Sequence, residues 1–114
     1  MPSVELDTVF QALADPYRRA MVSRLVESGP TSMKELAAPF DLGLPSTLKH
    51  LKVLENGGII TSKKEGRVRT FSICEEGLNP LRSWLDAHQR HLETGFDRLA
   101  AAMAANPEDK SDGQ

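Results

Sequence analysis

Between Thr31 and Gly58 the chain has room for only two short helices and a break of a few residues, and this spacing restricts the fold more than any other feature. Ser32-x-x-Glu35 has the form of a capping box, in which each side chain satisfies a free backbone amide where a helix begins. It predicts a helix over about residues 33–39. Asp41, Leu42 and Gly43 make a tight break, and Pro45 suits the first turn of a further helix, where its missing N–H costs nothing. Gly57 and Gly58 supply an exit, so that helix is expected to end at Asn56. Two short helices joined by a turn of three to four residues are helix-turn-helix geometry.

The flanking segments extend the pattern. Leu6, Val9, Phe10 and Leu13 fall at helical spacing and predict a first helix over 4–14. Asp15 followed by Pro16 is a cap and a first helical residue, opening a second helix over 16–27 that Ser28, Gly29 and Pro30 stop. From Ile59 to Ile73, β-favouring residues flank Lys64, Glu65 and Gly66, which predicts a two-stranded hairpin. Asn79 and Pro80 are expected to open a last helix reaching about Ala105. The expected architecture is mainly α with a β-hairpin wing, a winged helix-turn-helix in the order α-α-α-α-β-β-α. One domain is expected over 1–105, with a polar, disordered tail over 106–114.

Several function classes are excluded or made remote by composition. The 114 residues carry one cysteine, Cys74, so neither an intramolecular disulfide nor a zinc site with several thiolates from one chain is available. No signal-peptide pattern or membrane-length apolar run is found, and a soluble cytoplasmic protein is expected. No nucleophile motif or phosphate-cradling glycine loop stands out, so no enzymatic activity and no cofactor are expected. The net charge of −2 hides an asymmetry. Residues 44–73 hold six cations against two carboxylates, which leaves six surplus negative charges elsewhere. A basic stretch in an acidic chain is the footprint expected where one surface meets phosphates.

Within the fourth helix, Leu44, Leu48, Leu51 and Leu54 fall on one side at 100° per residue, leaving Ser46, Lys49, His50 and Val53 opposite, flanked by Thr47 and Lys52. Short polar and basic side chains on an anchored helix can reach base edges or phosphates in a major groove. The hairpin adds Lys63, Lys64, Arg67 and Arg69 where a wing would lie along the DNA backbone.

These residues also carry a family resemblance. LADPYRR at 13–19, ELA at 35–37, LPSTLKHLKVL at 44–54 and GRVRT at 66–70 resemble the ArsR (ArsR/SmtB) family of winged-helix repressors, over about residues 10–99. The resemblance implies a dimeric repressor of double-stranded operator DNA. It implies DNA-facing positions at Leu44, Ser46, Thr47, Lys49 and His50, with Gly66 and Arg67 at the turn of the wing. The chain departs from the metal-sensing members: Leu36, Ala37 and Ala38 stand where those carry a Cys-x-Cys pair, and Leu99 stands where a second zinc half-site would need a ligand. No metal is therefore expected, although His88 and His91, one turn apart near Asp86 and Glu93, leave open an irregular site between two subunits. The residues do not reveal an inducer.

On the last helix, Leu81, Leu85, His88, Leu92, Phe96, Leu99 and Met103 are spaced four, three, four, four, three and four apart, with Trp84 beside them. That is close to a coiled-coil repeat. With Leu6 and Phe10 of the first helix, the residues Leu81, Trp84, Leu85, Leu92, Phe96 and Leu99 are expected to form a homodimer seam. The competing expectation is a winged-helix protein-interaction module that does not bind DNA, for which four cations on the wing would have no use.

Overall fold

The start signals of α2 and α3 each meet a hydrogen bond in the structure, a computed structural model that describes residues 4–105. Helix α1 spans Val4–Ala12 and α2 spans Pro16–Ser28. Between them, the Asp15 carboxylate accepts from the Arg18 amide at 3.0 Å, capping α2 with Pro16 in its first turn. The two-residue strand β1 (Thr31–Ser32) leads into α3 (Met33–Ala37). There the Glu35 amide donates to the Ser32 hydroxyl and the Ser32 amide to the Glu35 carboxylate, so the capping box is closed in both directions. The Ser32 hydroxyl is also the main reason the Glu35 carboxyl is held below its ordinary pKa.

Helix α4 (Leu44–Asn56) begins at Gly43 with no side-chain cap from that residue. Strands β2 (Ile60–Glu65) and β3 (Val68–Ile73) form the hairpin, which closes on Gly66 and Arg67 with Glu65 opposite Val68. Gly66 takes a φ of +62°, a left-handed conformation that costs a residue without Cβ little. The sheet has three strands, not the expected two. β1 pairs antiparallel with β3, Thr31 opposite Phe71, giving the order β1-β3-β2. Two residues are too short a run to show a period, which is why β1 leaves no sequence signal.

Helix α5 (Glu75–Ala105) starts earlier than expected and carries Pro80 inside it. Its entry is set by the sheet and the preceding turn. The Cys74 amide donates to the Ile59 carbonyl at 2.8 Å, and Gly77 lies so close to Gly58 that a Cβ there would overlap the Gly58 carbonyl. Asn79 and Pro80 therefore fall within the second turn of a helix already begun.

Residues 4–81 form one compact unit. Its core holds Val9, Ala12, Met21, Leu25, Leu36, Leu51, Leu54, Ile59, Ile60 and Phe71, all buried. Burial of a large apolar side chain such as Phe71 contributes roughly 1.5–3 kcal/mol. Leu81, expected in a dimer seam, is partly buried and packs against this cluster. Residues 82–105, the rest of α5, make up the described part of a second unit and bury no side chain. The tail expected over 106–114 lies outside the described residues. No described helix is long and apolar enough to cross a membrane.

Candidate nucleic-acid interface

The apolar side of α4 is not the simple leucine row its spacing suggests. Thr47, Leu51 and Leu54 are buried, Leu48 is half-buried, and Leu44, at the helix start, is 50% exposed. Thr47 is therefore a correction among the expected DNA-facing residues. It is 0% exposed, and its hydroxyl donates to the Gly43 carbonyl at 3.1 Å. Its hydroxyl is spent on its own helix, and it has no free edge for a base. The solvent side of the helix carries Pro45, Ser46, Lys49, Lys52, Val53 and Asn56.

His50 sits at the margin of that side and is tied to α2. Its Nδ1 lies 3.5 Å from an Arg18 guanidinium nitrogen and 3.6 Å from an Asp15 carboxylate oxygen, and its ring tilts against Tyr17 at 5.7 Å between centroids. A guanidinium can only donate, so in the contact with Arg18 the His50 Nδ1 is the acceptor. Arg18 in turn donates to the Ala12 and Gln11 carbonyls at the end of α1. The amide of Arg18, helped by the charges of His50 and of Arg18 itself, holds the Asp15 carboxyl below its ordinary pKa. One cluster thus joins the end of α1, the start of α2 and the middle of α4. Asp15, Tyr17 and Arg18 stand in the 13–19 motif, but nothing in their spacing points to His50.

In the hairpin the pleat separates cations that the sequence lists together. Lys64 stands directly opposite Arg69, so both side chains leave the sheet on one face, whereas Lys63, opposite Thr70, leaves on the other. Lys63 pairs with Glu65 at 3.4 Å on that second face. An exposed pair of this kind contributes at most about 1 kcal/mol. On the first face the Arg69 guanidinium donates to the Ser62 hydroxyl at 2.9 Å, and that hydroxyl donates to the Glu55 carboxylate of α4 at 2.7 Å. Lys64 and Arg69 consequently share the face that meets α4. Arg67 lies at the exposed tip. Ser62 and Glu55 were not singled out by sequence, since a serine in a strand and a glutamate in a helix are ordinary surface residues until a contact joins them.

Among the described residues, no group of three or more histidine, cysteine, aspartate or glutamate side chains is placed to hold a metal ion. His88 stacks on Trp84 at 4.5 Å, and its Nδ1 donates to the Trp84 carbonyl at 2.8 Å. Cys74 is a half-buried free thiol between β3 and α5. Leu85, Leu92, Phe96, Leu99 and Met103 are all exposed, Phe96 most of all at 71%, while Leu6 is half-buried and Phe10 partly exposed.

The helix-turn-helix domain family matches residues 13–63, which run from the Arg18 cluster through α4 into the hairpin. The chain is 37% identical over 93 residues to the HTH-type transcriptional regulator Rv2034 of Mycobacterium tuberculosis, covering 82% of this chain and 86% of that protein. Among solved structures it is similar to an ArsR family transcriptional regulator, RHA00566, at 45% identity with a TM-score of 0.71, over 82% of this chain and 97% of that one. It also shares the fold of a homodimeric winged helix-turn-helix DNA-binding domain from Mycobacterium bovis, at 22% identity and a TM-score of 0.61, over 79% and 83% of the two chains.

Proposed function

Because this chain belongs to the ArsR family of winged helix-turn-helix transcriptional regulators, we propose that it represses transcription as a homodimer bound across an inverted-repeat operator. The observation that carries this reading is the pairing of two exposed basic surfaces on neighbouring elements. Lys49 and Lys52 lie on the solvent side of α4, and Lys64 and Arg69 lie on the hairpin face that meets α4. Together they form a strip suited to a polyanion on a chain that is otherwise acidic.

In this reading α4 enters the major groove. Leu44, Ser46 and Lys49 meet base edges, with Leu44 suited to a thymine methyl and Lys49 to guanine. His50 holds the helix against α2 at the margin of the groove. Lys52, Lys64, Arg67 and Arg69 meet the backbone, and Lys63 contributes only to the general field. The dimer seam uses Leu6 and Phe10 of α1 and Trp84, Leu85, Leu92, Phe96 and Leu99 of α5. Two-fold symmetry then sets half-sites about 10 base pairs apart.

Selection of bound fragments from genomic DNA, followed by anisotropy titration over a salt series, tests this. The expected result is an inverted repeat with an affinity that falls steeply with salt. Arg67→Ala is expected to weaken binding to every sequence, and Ser46→Ala to change the order of preferred sequences. A protein that enriches no fragment, or binds equally at all salt concentrations, is a protein-interaction module instead.

A further inference from the structure

We propose that Ser62 and Glu55 are positioning residues that aim Arg69 into a notch between α4 and the wing, where Arg69 and Lys52 together hold one phosphate of the DNA backbone. This rests on the DNA-binding reading above and adds a defined seat and two residues that never touch the DNA.

The notch is a cavity of about 230 Å³ lined by Leu48, Lys52, Glu55, Arg69 and Phe71. At roughly 30 Å³ for each liquid water it has room for several waters, and hence for a phosphodiester group. Leu48 and Phe71 form an apolar wall, and Lys52 and Arg69 supply charge from two different elements. The one carboxylate in the lining, Glu55, accepts from the Ser62 hydroxyl and keeps its charge, which the two cations Lys52 and Arg69 outnumber. That hydroxyl spends its only proton on Glu55 and so must accept from Arg69, which gives the chain Arg69→Ser62→Glu55 a fixed direction. One N–H of Arg69 is used and the remainder of its fork is left to grip an anion. Lys64 stands directly opposite Arg69 on the same face, outside the lining of the notch, and adds to the positive field around it. Lys63, on the other face and paired with Glu65, takes no part.

A hydrogen-bonded chain that merely fastened the hairpin to α4 would alter stability but not the number of counterions released on binding. The test is therefore the salt dependence of binding to a fluorescent duplex of random sequence. Arg69→Ala is expected to lower the slope of log K against log salt by about 0.9 per subunit, the value for one lost phosphate contact. Ser62→Ala should weaken binding about three- to tenfold, and Ser62→Thr, which keeps the hydroxyl and suits a strand, should restore it. Ser62→Ala combined with Arg69→Ala should bind no more weakly than Arg69→Ala alone, because both act through one contact. An unchanged slope in Arg69→Ala, a Ser62→Ala penalty that persists without Arg69, or failure of Ser62→Thr to restore binding would each overturn the proposal. A wild-type protein that bound no duplex at any salt would overturn the DNA-binding reading, and this proposal with it.

Discussion

Residues 4–81 and residues 82–105 treat their apolar side chains in opposite ways. In the first unit Met21, Leu25, Leu36, Leu51, Leu54, Ile59, Ile60 and Phe71 are covered almost completely by their own chain. In the second, Leu85, Leu92, Phe96, Leu99 and Met103 recur at regular helical spacing and remain exposed. A helix that repeats apolar residues every three or four positions without burying them in its own unit has the composition of half an interface. The core of the first unit is thus closed by its own chain, whereas the second unit leaves its apolar repeat open to solvent.

The largest expected effect tests the self-sufficient side of that contrast. Phe71→Ala empties the centre of the core and should lower unfolding free energy by about 3–5 kcal/mol in urea titration. A loss below 1 kcal/mol would mean that the core is not the single cooperative cluster described. Next in size is Gly77→Ala, in which the new methyl meets the Gly58 carbonyl. Overpacking against backbone should cost about 1–3 kcal/mol by the same measurement, whereas Gly95→Ala, with nothing near its Cβ, should be neutral or stabilising in the helix.

Phe96→Ala probes the other side. It should raise the dimer dissociation constant in sedimentation equilibrium about tenfold, equivalent to about 1.4 kcal/mol, while amide exchange at Leu51 and Leu54 stays slow. Lost protection at those two amides with an unchanged dimer would reverse the comparison. The smallest effect is on acid stability. Both carboxyls with lowered pKa, Asp15 and Glu35, lie in the first unit, and a depressed folded pKa means that their stabilisation is present above the unfolded value. It is lost as pH falls through the lower folded value. Asp15→Asn keeps a capping oxygen but does not titrate, so its urea midpoint should fall less than that of wild type at the acid end of the range.

Local chemistry was legible in advance wherever it involves neighbours along the chain. Asp15 with Pro16, Ser32 with Glu35, and Gly66 in the hairpin each act within three or four residues, so their types alone announce the α2 start, the α3 cap and the wing turn. The strand pair β1–β3 was not legible, because two residues carry no period and their partner lies some forty positions away. The early start of α5 was missed for a similar reason: Asn79 and Pro80 look like a beginning, and only the contact of Gly77 with Gly58 moves it.

The candidate interface divides along the same line. That residues 44–69 carry basic and short polar side chains in a helix-then-hairpin frame follows from the order of residues, because helical and strand periods are local properties. Which of those side chains face outward together is decided by folding. Thr47 turned inward because it lies on the helix face of the buried Leu51 and Leu54, and its hydroxyl is satisfied there by the Gly43 carbonyl. Lys63 and Lys64 parted because successive residues of a strand leave opposite faces of the sheet, and Arg69 met Ser62 and Glu55 because the core brings α4 against the hairpin. Composition and period select the elements; hydrogen bonds and packing between distant residues select the surface.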